Sequence, residues 1–289
     1  MKNLILCDSG LGGLDIAAPF FRKSGDPEWN LIYINAFPDE KFGFNDLADS
    51  RMQEDVFQSV MESMTRYTPA LCMIACNTLS IVWQRLSERW TPPFPVVGIV
   101  ETAVNGMTLA AAQDPDARLL ILGTATTVAS QVYPHALQQR GIDGSRIHSL
   151  GCPGLAKLIE QDPAAPEVRQ RIADYAGQAA DLLSGKKAKL YLCFCCTHYG
   201  YAETVWREEF GRYFEQVGIL NPNRMMVMNG AGEDFAYHAR VSLKEHQRQA
   251  MSAWFERSAP PIAAALRTAQ SEENLFTLPS PIRLKQQAL

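Results

Sequence analysis

Apolar runs that end in small polar or reactive residues recur along this chain and predict buried strands. The longer runs lie at residues 3–7, 31–34, 70–75, 119–122 and 190–195, and shorter ones lie at 96–101, 148–152 and 225–228. Segments with helical periodicity or strong helix formers separate them, at 48–67, 79–90, 153–161, 166–184, 202–217 and 233–256. This alternation is typical of an α/β protein with mostly parallel sheets.

The two halves of the chain repeat one pattern. A strand runs into the polar loop Asp8-Ser9-Gly10 in the first half, and another runs into Gly123-Thr124 in the second. Cys76 follows Asp8 by 68 residues, and Cys196 follows Thr124 by 72 residues. We therefore expect two pseudo-symmetric α/β lobes with an active-site cleft between them. The expected boundaries are 1–97 plus 210–257 for the first lobe, 98–209 for the second and 258–289 for a C-terminal appendage.

Cys76 and Cys196 stand where two apolar strands turn polar. Asn77 and Thr78 follow the first cysteine, and Thr197 and His198 follow the second. In open α/β folds, ligands bind at the carboxyl ends of the strands. We expect these two strand ends to face each other and the two thiols to work as a pair.

Two opposed thiols allow a specific reaction. A thiolate on one side of a carbon can remove a proton while a thiol on the other side delivers one, which inverts the centre. The substrate needs an acidified C–H group, such as the α-carbon of an amino acid. A free thiol has a pKa of about 8.5, so each needs a partner. His198 can tune Cys196, and Asp8 can serve Cys76.

Other interpretations of the cysteines stay open. Free cysteine is among the most buried residue types, so a cysteine on an apolar strand is most often part of the core. We expect this for Cys7, Cys72, Cys152 and Cys193. A zinc site would draw on Cys193, Cys195, Cys196 and His198. Structural zinc sites, however, use cysteine pairs on turns, whereas these cysteines alternate along a strand, so we expect no metal. Asp8 alone could be a helix cap.

The composition argues against a nucleic-acid-binding protein and against a membrane protein. The chain has 289 residues, a net charge of −4 and no long basic run, so nothing suggests nucleic-acid binding. No apolar stretch reaches the roughly 18 residues of a membrane span, and the N-terminal run is too short for a signal peptide. We expect a cytoplasmic protein whose seven cysteines are free thiols.

The motifs together resemble those of the cofactor-independent glutamate racemases of the Asp/Glu racemase superfamily. The stretch Asp8-Ser9-Gly10-Leu11-Gly12-Gly13 is similar to the family's opening D-S-G-x-G-G. Ala75-Cys76-Asn77-Thr78 is similar to its first cysteine motif, and Cys196-Thr197-His198-Tyr199 to its second. The resemblance extends from residue 3 to residue 256.

This resemblance implies interconversion of L- and D-glutamate without pyridoxal phosphate or a metal, with D-glutamate feeding bacterial peptidoglycan. The implied catalytic residues are Cys76, Cys196, Asp8 and His198, with Glu160 near the second thiol. The implied substrate-binding residues are Ser9, Asn77, Thr78, Thr127 and Thr197. The implied partner is a small-molecule substrate. Because members of the family commonly dimerise, the resemblance also implies a homodimer.

The chain also departs from the family pattern. The family's P-Y-G, whose loop holds the substrate carboxylate, is here Lys41-Phe42-Gly43, so Phe42 and Gly43 are candidate binding positions and Lys41 adds a charge. An Asp of the family is Ala36, and its late D-S-G is reduced to Asn229-Gly230. Two alternatives therefore stay open. One is the same chemistry on another acidic amino acid or similar carboxylate, and the other is a non-catalytic amino-acid-binding protein.

Overall fold

The computed structural model describes residues 1–21, 28–183, 189–226 and 231–285. The strands are β1 (Lys2–Asp8), β2 (Trp29–Asn35), β3 (Leu71–Ile74), β4 (Val96–Gly98), β5 (Arg118–Gly123), β6 (Ile147–Gly151), β7 (Leu190–Cys195), β8 (Val217–Leu220) and β9 (Ala231–Ala239). The helices are α1 (Leu14–Ala17), α2 (Ser50–Ser63), α3 (Asn77–Leu86), α4 (Ile99–Gln113), α5 (Ala125–Ala129), α6 (Val132–Gln139), α7 (Leu155–Gln161), α8 (Pro166–Leu182), α9 (Glu203–Gly211), α10 (Glu245–Phe255) and α11 (Pro260–Thr268).

The chain divides into two compact units. Unit 1 comprises Met1–Ile99 and Val227–Leu289, and unit 2 comprises Val100–Met226. This division differs from the boundaries expected from the sequence. Residues 210–226 lie in unit 2 because β8 pairs with β7. Residues 258–285 are part of unit 1 and not an appendage, since Leu275 and Phe276 are buried in its core.

The described residues of unit 1 form a parallel sheet in the order β4-β3-β1-β2-β9. The central strand β1 is fully buried from Leu4 to Cys7, as a strand with both faces covered must be. The register pairs Asp8 with Asn35 on β2 and Cys7 with Ile74 on β3. The carboxyl ends of these three strands therefore lie side by side.

The predicted helix at 48–67 is α2 followed by a 3-10 turn at Met64–Tyr67. The side chain of Asp49 caps α2 by accepting a hydrogen bond from the backbone N–H of Met52 at 2.8 Å. Val56, Val60 and Met64 are fully buried against the sheet, as their spacing of four residues predicts.

In unit 2, the described residues form a parallel sheet in the order β6-β5-β7-β8. Read from the other edge, this order matches that of β4-β3-β1-β2, with β5 in the place of β1 and β7 in the place of β3. Gly123 at the end of β5 pairs with Cys195 on β7 and Gly151 on β6. The predicted α/β class with parallel sheets is confirmed. The two sheets share the order of four strands, as expected of two pseudo-symmetric lobes.

The prediction of a strand over residues 96–101 is wrong beyond Gly98, because β4 ends there and α4 begins at Ile99. Val100, Ala103, Val104 and Met107 are buried at helical spacing. A short apolar run does not by itself distinguish a buried strand from a buried helix. Here the run continues into a helix that extends to Gln113.

The elements expected near the end of the chain are also wrong. Met225 and Met226 lie outside any strand, and residues 227–230 lie outside the described residues, as does the Asn229-Gly230 remnant. The helix expected at 233–256 is instead β9 followed by α10. Tyr237 stacks on Tyr33 of β2 at 5.7 Å, a cross-strand contact that favours a strand. The helix expected at 202–217 ends as α9 at Gly211 because the chain then enters β8.

No helix within the described ranges combines the length and the apolarity needed to cross a membrane.

Candidate active site

Cys76 occupies the turn between β3 and α3 in unit 1. It is the N-cap residue of α3, where its sulfur accepts a hydrogen bond from the backbone N–H of Leu79 at 3.5 Å. The Ser9 hydroxyl lies 3.1 Å from the same sulfur. The positive end of the α3 dipole and a hydroxyl donor both favour negative charge on sulfur at this position. Asn77 and Thr78 are buried in the first turn of the helix, which begins two residues earlier than the sequence predicts.

Asp8 ends β1 in a fully buried position. Its Oδ1 accepts a hydrogen bond from the backbone N–H of Gly10 at 3.0 Å, and the Tyr33 hydroxyl donates to the carbonyl of Gly10 at 2.8 Å. A Cβ at Gly13 would lie 2.9 Å from Asp8 Cβ and 3.1 Å from Ala75 Cβ. Only glycine permits this close approach, so the loop holds Asp8, Ser9 and the start of the Cys76 turn together.

The Lys41-Phe42-Gly43 segment lies in the loop between β2 and α2. Lys41 is exposed, and Phe42 is half-buried against the core cluster that also contains Cys76. The backbone N–H of Gly43 donates to Asp46 Oδ2 at 2.8 Å. The candidate binding loop thus belongs to unit 1, on the side of the sheet that carries Cys76.

Cys196 follows β7 in unit 2, and a 3-10 turn at Thr197–Ala202 comes directly after it. The turn folds His198 back so that its Nδ1 lies 3.8 Å from the Cys196 sulfur. On the other side of the ring, Nε2 lies 2.8 Å from Oε2 of Glu160, which projects from α7. The structure therefore assembles a sulfur–imidazole–carboxylate chain, with the thiol and the imidazole both buried.

The protonation of His198 reflects competing effects. Burial alone would lower the pKa of this imidazole, but hydrogen bonds with Cys196 and Glu160 and the charges of both groups raise its pKa well above the usual value. The net direction favours the protonated imidazolium over the neutral ring.

Thr127 and Thr197 are both buried near the same strand ends. The hydroxyl of Thr124 caps α5 by accepting a hydrogen bond from the backbone N–H of Thr127 at 3.1 Å. A Cβ at Gly123 would lie 3.0 Å from Thr127 Cγ2 and 3.2 Å from the Cys195 carbonyl oxygen, so both Thr127 and the end of β7 pack closely against Gly123 at the end of β5.

Asn223 is a site residue that the sequence did not reveal. It is 1% exposed, and its Nδ2 donates to the carbonyl of Thr197 at 2.8 Å. The Asn-Pro-Asn stretch that contains it signals a turn, but nothing in the sequence identifies a partner 26 residues away.

The four cysteines that the sequence places in the core behave as core residues, as predicted. Cys7, Cys72 and Cys193 are fully buried, and Cys152 is 2% exposed. Burial raises the pKa of all four thiols, so they are neutral at physiological pH. Within the described ranges, no three His, Cys, Asp or Glu side chains are grouped so as to hold a metal ion.

The structure thus forms one cluster of candidate residues in each unit. The one in unit 1 contains Asp8, Ser9, Cys76, Asn77 and Thr78, and the one in unit 2 contains Thr127, Glu160, Cys196, Thr197 and His198. The pairing of Cys76 with Cys196 stays a prediction.

Comparison with known proteins identifies relatives of this chain. The Asp/Glu/Hydantoin racemase family matches residues 22–198. A glutamate racemase of Streptococcus suis (strain 05ZYH33) is 26% identical over 211 residues, which cover 71% of this chain and 72% of that protein. A glutamate racemase of Aquifex aeolicus (strain VF5) is 24% identical over 226 residues, which cover 75% and 77%.

Solved structures share the fold. Glutamate racemase isoform RacE1 from Bacillus anthracis superposes with a TM-score of 0.65 at 20% identity, covering 88% of this chain and 94% of that one. The glutamate racemase of Francisella tularensis in complex with D-glutamate gives a TM-score of 0.64 at 15% identity, with the same coverage.

Proposed function

Because this chain belongs to the Asp/Glu/Hydantoin racemase family, and is thus a racemase and an isomerase, we propose that it interconverts L- and D-glutamate. The proposed reaction uses Cys76 and Cys196 as its two acid–base groups and needs no cofactor. The names of the curated relatives support glutamate as the substrate.

One observation carries the two-cysteine mechanism. Cys76 and Cys196 follow equivalent strands, β3 and β7, in two sheets with the same strand order. Each sulfur has a side-chain partner that can stabilise its charge, Ser9 in unit 1 and His198 in unit 2. The other cysteines are at most 2% exposed, whereas Cys76 and Cys196 are each 6% exposed at a strand end.

The proposed step moves one proton in and one proton out. One sulfur, as thiolate, removes the α-proton, and the electron pair left on the α-carbon is shared with the adjacent carboxyl group. The other sulfur, as thiol, then donates its proton to the opposite face of that carbon. The product is the mirror image of the substrate, and the two sulfurs have exchanged protonation states. Cys76 acts on D-glutamate and Cys196 on L-glutamate in this proposal.

The two clusters activate their sulfurs differently. In unit 1, the α3 dipole and the Ser9 hydroxyl stabilise negative charge on Cys76, and Asp8 serves as its auxiliary. In unit 2, His198 lies against the Cys196 sulfur as its proton-transfer partner, and Glu160 holds the His198 ring in place. Backbone and hydroxyl groups of Ser9, Asn77, Thr78, Thr127 and Thr197 bind the amino and carboxylate groups of the substrate.

The biological setting is also part of the proposal. The product D-glutamate would supply peptidoglycan synthesis, and the protein would act as a homodimer. Its seven buried free thiols suit the reducing cytoplasm.

The test is α-proton exchange followed by NMR. The protein is incubated in D₂O with L- and D-glutamate separately, and then with both enantiomers of aspartate, with no cofactor added. Loss of the α-proton signal with inversion, for glutamate, supports the proposal. Absence of exchange with every one of these amino acids, combined with ligand-induced thermal stabilisation, would instead indicate a non-catalytic binding protein.

A second candidate substrate is another acidic amino acid or a similar carboxylate. The observation that favours it is the exposed Lys41 beside Phe42, where the family pattern has Pro and Tyr. Exchange with aspartate and not with glutamate, in the same experiment, would assign the difference to this loop.

A further inference from the structure

The last described part of the chain, residues 270–285, contains turns and isolated bridges but no helix, and is called here the C-terminal strap. Ser271 forms a parallel bridge with Ala239 at the end of β9, and the backbone N–H of Glu272 donates to the Ala239 carbonyl at 2.8 Å. Leu275 and Phe276 then enter the hydrophobic core. The strap is therefore firmly attached along its first half.

The second half of the strap binds the turn that leads into α2. Leu284 forms an antiparallel bridge with Leu47. Two backbone hydrogen bonds flank this bridge, from Ala48 N–H to the Arg283 carbonyl at 3.0 Å and from Lys285 N–H to the Asp46 carbonyl at 2.8 Å. Residues 46–48 thus gain a short partner strand from the end of the chain.

Side chains extend the same contact. Arg283 pairs with Asp49, the residue that caps α2, at 3.1 Å. The Lys285 ammonium donates to the carbonyl of Asn45 at 2.7 Å. The strap therefore contacts every residue of the turn from Asn45 to Asp49, by backbone or side chain.

The opposite end of the same loop has its own anchor. The Arg240 guanidinium donates to the carbonyl of Pro38 at 2.7 Å and lies 3.7 Å from the Asp39 carboxylate. It also lies over the ring of Phe276 in the strap. The Lys41-Phe42-Gly43 segment lies between these two anchored ends of the loop. The Gly43 N–H donates a hydrogen bond to Asp46, a residue that the strap contacts.

We propose that the C-terminal strap holds the Lys41-Phe42-Gly43 loop in its substrate-binding conformation, so that the strap sets the affinity for an acidic amino acid without taking part in proton transfer. This inference rests on the proposed function. Its physical basis is that a loop ordered before binding loses less entropy when the ligand arrives. A proline at position 41 would restrict the backbone of this loop directly. With lysine at that position, the contacts of the strap restrict the loop instead.

The central test compares the full chain with a variant that ends at Leu278. This truncation removes the contacts with residues 45–49 and keeps Leu275 and Phe276 in the core. We expect KM for the substrate to rise about tenfold while kcat changes by less than about twofold. A synthetic peptide of residues 279–289, added to the truncated protein, is expected to lower KM again. An unchanged KM, or a fall in kcat at constant KM, would overturn the proposal.

A pair of point variants isolates one hydrogen bond. Lys285→Pro removes the backbone N–H that donates to Asp46, whereas Lys285→Ala keeps it and removes only the ammonium. The proline variant is expected to raise KM more than the alanine variant does. Equal KM values for the two variants would contradict the role of this backbone contact.

Amide hydrogen exchange separates this proposal from the proposed function because it needs no turnover. In the truncated variant, we expect faster exchange at Gly43, Asp46 and Ala48, with unchanged exchange in β1. If the full chain racemises no acidic amino acid, the proposed function fails, and the exchange rates still decide whether the strap holds the loop. Identical exchange rates in the two proteins would overturn the strap proposal, whatever the activity.

Discussion

His198 Nε2 lies 2.8 Å from Glu160 Oε2, although 38 residues separate the two along the chain. The contact links α7 to the turn after β7 and brings a carboxylate to the far side of the imidazole that faces Cys196. It makes the protonation of His198 depend on Glu160 and fixes the turn that carries Thr197 and His198.

Replacing Glu160 with glutamine should impair the reaction in a pH-dependent way. The carboxylate raises the pKa of His198, so its loss lowers that pKa and the imidazolium is present over a narrower pH range. We expect kcat/KM to fall about 10- to 100-fold. The alkaline limb of the pH profile should move to lower pH. Because the substrate and product are mirror images, kcat/KM must fall equally in both directions.

The control for this variant is Glu167→Gln, an exposed carboxylate at the start of α8. It should leave both the rate and the pH profile unchanged. A Glu160→Gln enzyme with a lower rate and an unshifted profile would contradict an electrostatic role for Glu160.

The raised pKa of His198 also predicts a pH dependence of stability. The unfolded imidazole has a pKa of about 6.5. The stabilisation from the folded imidazolium is therefore fully present below that pH, and it is lost as the pH rises through the higher folded-state pKa. The measurement is the difference in free energy of unfolding between the wild type and His198→Gln, in urea, at about pH 6 and about pH 9. We expect the advantage of the wild type to shrink at the higher pH, whereas a constant or growing advantage would exclude a cationic His198.

Removal of either strand-end thiol should abolish racemisation. Cys76→Ala and Cys196→Ala each delete one of the two proposed acid–base groups, and we expect losses of about a thousandfold or more in a folded protein. Cys72→Ala is the matched control because Cys72 is buried in the core of unit 1. It should lower stability and retain activity. Full activity in either strand-end variant would end the two-cysteine mechanism.

Asn223→Ala tests a residue that only the structure identified. The variant leaves the buried Thr197 carbonyl without the amide of Asn223, at a cost of about 1–3 kcal/mol in the free energy of unfolding. A loosened turn should also lower kcat/KM, because Thr197 lies between Cys196 and His198. Asn105→Ala, at an exposed position, serves as the control. A variant of Asn223 with wild-type stability and activity would show that this hydrogen bond does not support the turn.

The sequence by itself determined the features that repeat locally. Buried runs such as residues 190–195 and the amphipathic α2 follow from the side-chain periods of strands and helices. The position of Cys76 and Cys196 at strand ends follows from the change from apolar to polar residues. Glu160 came from the resemblance to a family and not from spacing. Local pattern failed at α4 and β9, where a short apolar or aromatic run fits either a strand or a helix until its neighbours are known.

Tertiary structure decided everything that depends on partners far apart in sequence. The contact of Glu160 with His198, the support of Thr197 by Asn223 and the attachment of residues 283–285 to the turn before α2 all join segments that no local period connects. Hydrogen bonds of this kind form only once the chain has folded, because their geometry is fixed by the packing of whole strands and helices. The sequence therefore supplied the reactive groups, and the fold supplied their partners.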